Sequence, residues 1–355
     1  MRWFVKATLI WAAIGSVIAV AVVSLGLYNV SARQDHLPGV SWVLHTTYRN
    51  AVRLRAPDPS QVPDLSDTGL ITLGREHYER ACAFCHARPT ETRSQTALSM
   101  LPVPPRMDDA VKDWEPNHLF WIVKNGVKMS GMPAWPSDKR DDDVWAVVAF
   151  LQSVKENTDA GTKPISQAPT PTSAPFDFEQ KCATCHAADG LAFANKHIPR
   201  LDILSREYVE ASLKAYRNGA RQSGIMQEAA SQLTDQQIDD FADFISSMDA
   251  QQTTAKTGEN VDRGKELASR GEIKSGVPAC SSCHGPKAAK KSPYYPQLAG
   301  QSRTYIEQQL KLFKEEKRGG TQRQNLMHQS VDGLNPDDIS ALAAYYSSLN
   351  PTSDN

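Results

Sequence analysis

Apart from three short segments, the sequence has no cysteine. All six cysteines lie in the pentapeptides CAFCH (82–86), CATCH (182–186) and CSSCH (280–284), and none is left over. Structural zinc needs four ligands in a tetrahedron, usually from two pairs, whereas these pairs stand about a hundred residues apart. A thioredoxin-like redox centre needs one C-x-x-C near a βαβ pattern, and it does not require the histidine that follows all three pairs here. The cysteine pattern therefore argues against zinc, thiol redox chemistry and a disulfide framework.

The sequence is also poor in strand-like segments and in excess charge of either sign. Almost no stretch alternates apolar and polar residues, so we expect an all-α fold. The chain of 355 residues has 39 Lys and Arg against 40 Asp and Glu, a net charge of −1. Nucleic-acid binding depends on a strongly basic surface, so no nucleic-acid partner is expected.

A long apolar run lies at the N-terminus. Arg2 and Lys6 precede an uncharged stretch from Ala7 to Ala32. About 20 apolar residues suffice to span a bilayer as a helix, so residues 1–32 are predicted to form a membrane anchor. The alternative is a signal peptide cleaved after Ala32, although such peptides normally have a shorter apolar region. Residues 33–63 are interpreted as a connecting segment.

The three pentapeptides share the spacing C-x-x-C-H, which is the attachment signature of c-type haem. On a helix, two cysteines three residues apart share a face, and each forms one thioether to the same porphyrin edge. The histidine four after the first cysteine lies on that face and supplies an axial nitrogen to the iron. Three covalently bound haem c groups are predicted, attached through Cys82 and Cys85, Cys182 and Cys185, and Cys280 and Cys283, with His86, His186 and His284 as axial ligands.

The chain repeats itself with a period near 95 residues. After each haem motif come a proline, an amphipathic segment (116–124, 206–216 and 303–313), a methionine and a closing helix. Thr234 with Gln237, and Asn335 with Asp338, are predicted to cap the last two closing helices. Two stretches rich in small polar residues mark boundaries. The predicted domains are 64–157, 176–249 and 261–351, joined by linkers at 158–175 and 250–260.

These motifs make residues 64–351 resemble three class I cytochrome c domains in tandem. Units two and three resemble the halves of the two-haem "c-four" type cytochromes, a likeness carried by 295–320 and 334–349. Unit one, through 119–152, resembles a single-haem domain of bacterial respiratory chains. The resemblance implies small helical domains that carry electrons.

The resemblance also implies that a methionine is the sixth ligand of each iron. Met132, Met226 and Met327 lie 46, 40 and 43 residues after the histidines of their motifs. Met129 competes with Met132, and His328 competes with Met327. A His/Met pair raises the reduction potential and leaves no coordination position for a substrate. The family likeness further implies that the carbonyls of Pro199 and Pro296 accept the other ring N–H of their axial histidines. In unit one the alignment selects Pro105, with Pro102 and Pro104 as alternatives.

The predicted function is therefore electron transfer without bond chemistry. We expect a membrane-anchored three-haem cytochrome at the bacterial inner membrane, with its haem domains in the periplasm, where the family's haem is attached. Its expected redox partners are a quinol-oxidising complex or a dehydrogenase as donor and a terminal oxidase as acceptor. The alternative is the cytochrome subunit of an alcohol, aldehyde or sugar dehydrogenase. A haem enzyme fits less well. A peroxidase needs an iron with an open or displaceable ligand, and a thiosulfate-oxidising cytochrome uses a cysteine ligand, for which no cysteine remains.

Overall fold

The computed structural model describes residues 2–128, 130–156, 174–192, 195–252, 260–285, 292, 294–320 and 324–351. Within these ranges the secondary structure is helical, and the only β feature is an isolated antiparallel bridge between Glu272 and Val277. The predicted all-α fold class is confirmed. Most of the two predicted linkers, 158–175 and 250–260, and the candidate ligand Met129 lie outside the described residues.

The N-terminal part of the chain forms two helices, α1 (Arg2–Ser24) and α2 (Val40–Arg55). Helix α1 is apolar and long enough to cross a membrane, and none of the 18 residues of its most apolar window is buried. Helix α2 lies in the stretch that the sequence analysis assigned only as a connecting segment. Its Val52 is fully buried, and its Tyr48 ring packs edge-on against Trp114 at 5.7 Å. Helix α2 is thus attached to the first group of helices after it.

The first of three helical groups, called bundle 1, surrounds the first pentapeptide. Its core contains mainly Val, Ile, Leu and aromatic side chains, among them Tyr78 and Phe150, whose rings lie 5.3 Å apart. Its α-helices are α3 (Thr68–Ala81), α4 (Ala83–His86), α5 (Gln95–Leu98), α6 (Met107–Ala110), α7 (Pro116–Asn125) and α8 (Asp141–Lys155), preceded by a 3-10 turn at Pro59–Gln61.

Bundle 2 repeats this plan with a shortened start. After Pro175 the chain forms a single turn and then a π-helical segment, so Phe178 reaches the core, where it contacts Phe241 and Phe244. The capping box of Thr234 and Gln237 is present as predicted. The helical segments are α9 (Phe176–Phe178), the π-helix Glu179–Ala183, α10 (Thr184–His186), α11 (Arg206–Arg217), α12 (Gly224–Ala230) and α13 (Asp235–Ser246).

Bundle 3 has the same order of helices around its own core. The predicted cap of its closing helix is also confirmed, because Asn335 and Asp338 form a capping box. Residues between the first helix and the third pentapeptide form a small loop with a 3-10 turn at Ile273–Ser275. The α-helices are α14 (Val261–Arg270), α15 (Ser281–His284), α16 (Arg303–Lys314), α17 (Gln324–Val331) and α18 (Pro336–Ser348).

In bundles 1 and 3 the first and last helices cross at a glycine. A Cβ atom on Gly74 of α3 would lie 1.8 Å from the carbonyl oxygen of Ala146 in α8. A Cβ on Gly264 of α14 would lie 2.0 Å from the carbonyl oxygen of Ala341 in α18. Only glycine allows the two backbones to approach this closely. These crossings hold the helices before the first and third haem motifs against the closing helices of their bundles.

Candidate functional site

Each haem motif forms one short helical turn. In the first motif the amides of Cys85 and His86 both donate to the carbonyl of Cys82, at 3.1 and 3.0 Å, and the third motif has the same pattern around Cys280. The turn places both thiols and the histidine on one side, as the spacing predicts. Ala87, directly after His86, has a φ of 59°, and its carbonyl accepts a 2.6 Å hydrogen bond from the buried Tyr78 hydroxyl. The core of the bundle thus fixes where the motif ends.

The three motif histidines are oriented in the same way. Their Nδ1 atoms lie 2.8, 3.2 and 3.1 Å from the carbonyl oxygens of Pro105, Pro199 and Pro296, respectively. A ring whose Nδ1–H donates to a carbonyl keeps its Nε2 lone pair for a metal. Burial lowers the pKa of all three histidines, that of His186 to about 4. The rings are therefore neutral at pH 7, as coordination of iron requires.

None of the six cysteines is paired in a disulfide. Burial raises the pKa of the Cys82 and Cys182 thiols to about 12 and those of Cys185 and Cys280 to about 11. Their arrangement in three isolated pairs, each followed by an oriented histidine, suits thioether attachment of haem. Among the described residues, no group of three or more His, Cys, Asp or Glu side chains is arranged to hold a metal ion directly.

A cavity of about 410 Å³ runs through bundles 2 and 3 and joins their two sites. The second motif contributes Cys182, Cys185 and His186 to its wall, and the third contributes His284. Met226 and Met327 line the same cavity. The predicted histidine and methionine ligands of the second and third sites therefore line one common cavity.

The methionine of the first site has a different setting. Met132 packs against the core of bundle 1 together with Cys82. Its amide lies 3.2 Å from Ser130 Oγ, and its carbonyl accepts from the Val127 amide at 3.2 Å. Met132 therefore sits in a loop that is fixed within bundle 1.

His328, the alternative ligand of the third site, is occupied elsewhere. Its Nε2 atom lies 2.8 Å from the carbonyl oxygen of Arg318, and its ring is 6.0 Å from that of Phe313. Met327 lines the cavity, whereas His328 is not among the residues of its wall. This arrangement favours Met327 over His328 as the ligand.

The cavity wall also contains two buried arginines that the sequence reasoning did not single out. Arg221 and Arg318 are 5% and 9% exposed, and their guanidinium groups lie 3.4 and 3.0 Å from the Tyr208 hydroxyl. Burial raises the pKa of Tyr208, but the two cations outweigh it and lower the value to about 8. Other hydrogen bonds from the two arginines go to the neutral side chains of Ser212, Tyr305 and Gln309. Buried cations need negative partners, and the carboxylates of haem would supply them here.

Bundles 1 and 2 share an interface beside this cavity that sequence reasoning also missed. The buried carboxylate of Asp143 in bundle 1 accepts hydrogen bonds from Ser223 and Gly224 in bundle 2. The signal available in the sequence was weak, because DDDVW (141–145) looks like an ordinary acidic start of a helix. Only the placement of one bundle on the other shows that one of these three aspartates is buried.

Comparison with known proteins gives consistent results. The sequence profile of the family described as "Cytochrome c" matches residues 177–249 and 261–350. The profile described as "Cytochrome C oxidase, cbb3-type, subunit III" matches residues 69–151. A thiosulfate dehydrogenase electron acceptor of Stutzerimonas stutzeri (strain A1501) is 31% identical over 210 residues, which is 57% of this chain and 92% of that protein.

Two further relatives are cytochromes of the c4 type. Cytochrome c4 of Pseudomonas aeruginosa is 29% identical over 170 residues, covering 47% of this chain and 83% of the relative. A solved structure of cytochrome c4 from Acidithiobacillus ferrooxidans is 31% identical and covers 48% of this chain and 99% of that chain, with a TM-score of 0.43.

Proposed function

Because this chain belongs to the cytochrome c family and is a multi-domain c-type cytochrome related to the c4 type, we propose that it is a membrane-anchored carrier of electrons with three haem c groups. The three domains are 64–157, 176–249 and 261–351, and the first is a single-haem respiratory domain. The observation that carries the proposal is the threefold repeat of one geometry. In each motif the histidine Nδ1 lies within 3.2 Å of a proline carbonyl, so Nε2 is left for iron.

The chain's own residues would hold the cofactor. The three cysteine pairs would attach the haem groups, and His86, His186 and His284 would each provide one ring nitrogen to iron. Met132, Met226 and Met327 would each provide a thioether sulfur. When bound, haem supplies an iron that exchanges one electron at a time between its ferrous and ferric states. With a histidine and a methionine as its protein ligands, each iron would have no position left for a substrate, and the protein itself would carry out no bond chemistry.

Helix α1 anchors the protein in the bacterial inner membrane and leaves the haem bundles in the periplasm. Its length of 23 residues and its mean hydropathy of 2.2 over the most apolar window support this role. An anchor keeps the carrier at the membrane surface, where its effective concentration near membrane-bound partners is high.

The proposed direction of transfer is from a quinol-oxidising complex or a periplasmic dehydrogenase to a terminal oxidase. Two similarities support these partners. The first bundle matches a profile named for a subunit of a cbb3-type oxidase, and a relative that aligns over 92% of its length is the electron acceptor of a thiosulfate dehydrogenase. The second similarity favours a thiosulfate-oxidising enzyme as donor over the alcohol, aldehyde and sugar dehydrogenases of the alternative assignment.

A redox titration of the purified holoprotein tests the carrier function. We expect three one-electron steps at high potential, because methionine ligation raises the potential, and no spectral change when carbon monoxide is added to the reduced protein. Three steps well below zero, or a haem that binds carbon monoxide, would contradict the proposal. Stopped-flow reduction by thiosulfate dehydrogenase with thiosulfate, compared with an alcohol dehydrogenase with its substrate, identifies the donor. Equal reduction by both enzymes would contradict the assignment of a thiosulfate-oxidising donor.

A further inference from the structure

The methionine loop of the second site is held by a different bundle from the one that carries its haem motif. The carboxylate of Asp143, in helix α8 of bundle 1, lies 3.0 Å from Ser223 Oγ and 3.0 Å from the amide nitrogen of Gly224. Both groups donate to the same oxygen, Oδ2. Asp143 is 4% exposed, so solvent does not compete for these bonds, and bonds to a charged acceptor are stronger than neutral ones.

Arg140 completes this polar contact. Its guanidinium donates to Asp143 Oδ1 at 2.7 Å and, through its other terminal nitrogen, to the carbonyl of Gln222 at 2.8 Å. The arginine is 7% exposed and also pairs with Asp142. Arg140 therefore balances the charge of Asp143 within bundle 1, and both side chains contact residues 222–224 of bundle 2.

Apolar contacts hold the next residues. A Cβ atom on Gly224 would lie 2.1 Å from Nε1 of Trp135, so the indole packs directly on the glycine backbone. Trp135 is 9% exposed, and its ring also contacts His77 at 4.5 Å. Ile225 packs against the hydrophobic core of bundle 1. Four consecutive residues, 222–225, are thus bound to bundle 1.

The residue that follows this segment is Met226, the proposed ligand. Ser223 Oγ, which donates to Asp143, also accepts a hydrogen bond from the Met226 amide at 3.2 Å. Met226 lines the cavity whose wall also includes Cys182 and His186. The contrast is Met132, whose loop is fixed by Ser130 and Val127 of its own bundle.

We propose that Asp143 and Trp135 are positioning residues for Met226, so that bundle 1 completes the ligand loop of the second haem. The inference rests on the proposed function, because it takes Met226 as the iron ligand. Its consequence is that the coordination and the potential of the second haem depend on the docking of bundle 1. A two-haem protein consisting of bundles 2 and 3 alone would have this loop exposed and less well fixed. Electron transfer between the first and second haems would then depend on the same contact between bundles 1 and 2 that holds Met226 in place.

The main test is Asp143→Asn in the full-length holoprotein. The substitution keeps the size of the side chain and weakens the bonds to Ser223 and Gly224. Two roles of Asp143 predict opposite signs. If it acts only as a nearby negative charge, its removal destabilises the ferric state and raises the potential of the second haem. If it positions Met226, the thioether dissociates in a fraction of molecules, and that potential falls because methionine ligation is what raises it.

The readouts are a redox titration and the weak near-infrared band of methionine-ligated ferric haem. We expect Asp143→Asn to lower the reduction potential of one haem and to allow carbon monoxide to bind there. It should also weaken the near-infrared band, with a loss of part of the intensity that Met226→Ala removes. The matched control is Asp202→Asn, which also alters a buried aspartate paired with an arginine, Arg200, in bundle 2. Asp202 makes no contact with residues 222–226 among the hydrogen bonds described, so the band should remain.

Gly224→Ala provides an independent test without a change in charge. The added methyl group would collide with Trp135, and we expect the same loss of the part of the near-infrared band that Met226 contributes. Trp135→Phe removes an indole N–H that has no hydrogen-bond partner among the described residues. Combined with Gly224→Ala, it should restore part of the lost band. A raised potential in Asp143→Asn with an intact band, or an unchanged band in Gly224→Ala, would overturn the positioning role. An unchanged band in Met226→Ala would instead overturn the ligand assignment in the proposed function.

Discussion

The close helix crossing in bundle 1 makes a strong prediction for Gly74→Ala. In the structure an added Cβ lies 1.8 Å from the Ala146 carbonyl oxygen, whereas ordinary van der Waals contact begins at 3.4 Å. The obstructing atom belongs to the backbone of a buried helix and cannot rotate away. Helices α3 and α8 must therefore separate by more than an ångström, which loosens the packing of Ile71, Tyr78 and Val147 along the crossing.

The size of the effect follows from two opposing terms. Overpacking a well-packed core costs about 1–3 kcal/mol, and the rigid obstruction puts this site near the upper end. Replacing glycine by alanine within a helix contributes about 1 kcal/mol in favour of folding. We expect a net loss of about 2 kcal/mol in the stability of bundle 1. Since every 1.4 kcal/mol is a factor of ten, amide hydrogens of α3 and α8 should exchange about 30-fold faster.

Hydrogen exchange followed by mass spectrometry of the holoprotein is the appropriate assay, because it reports on each bundle separately. The matched control is Gly69→Ala in the same helix, where a Cβ would meet only side-chain atoms, the nearest being Asn195 Oδ1 at 3.0 Å. These atoms can shift at small cost. If Gly74→Ala exchanged no faster than Gly69→Ala, the argument that close backbone approach requires glycine at this crossing would be refuted.

Three further predictions concern the other parts of the molecule. Met327→Ala should lower the potential of one haem and open it to carbon monoxide, whereas His328→Ala should change neither; the reverse result would show that the histidine is the ligand. Thr234→Ala removes the cap of α13 and should destabilise bundle 2 by about 1 kcal/mol, seen as faster hydrogen exchange in that helix alone. Burial raises the pKa of Asp67, but hydrogen bonds from Lys196 and the Leu70 amide lower it to about 2. The stability this carboxylate provides is therefore present above its unfolded pKa near 4 and is lost as the pH falls from about 4 to 2. Asp67→Asn should lower stability at pH 6 by about 1 kcal/mol, with allowance for solvent screening, and by much less at pH 2. Guanidinium unfolding at both pH values checks this, and an equal loss at both would contradict it.

Much of the local structure could be predicted because its causes are local. The amphipathic segments at 116–124, 206–216 and 303–313 form helices that end within one residue of the predicted positions. Both predicted capping boxes are present. The proline carbonyls expected beside the motif histidines are also found there. In each case a few neighbouring residues, or one repeated motif, provide the whole signal.

Elements that depend on a distant partner were missed. Helix α2 was interpreted as part of a connecting segment. Its stability depends on the packing of Val52 and Tyr48 against bundle 1, which its own sequence does not show. Arg221 and Arg318 lie in the loops that follow α11 and α16, and nothing in the sequence around them marks them as buried. They are buried because bundles 2 and 3 meet, as when Arg318 reaches Tyr208 across 110 positions of sequence.

By itself the sequence determined which atoms are available for chemistry. Six cysteines in three C-x-x-C-H motifs leave one plausible mode of cofactor attachment, and helical periodicity with caps sets the extent of the helices around it. The contacts through which the three units depend on each other are visible only in the folded chain. Asp143 is one of three consecutive aspartates, and it alone is buried against Ser223 and Gly224 because α8 turns that side towards bundle 2. The physical reason is range: capping and periodicity act over a few residues, whereas burial of a charge depends on which surfaces the folded chain brings together.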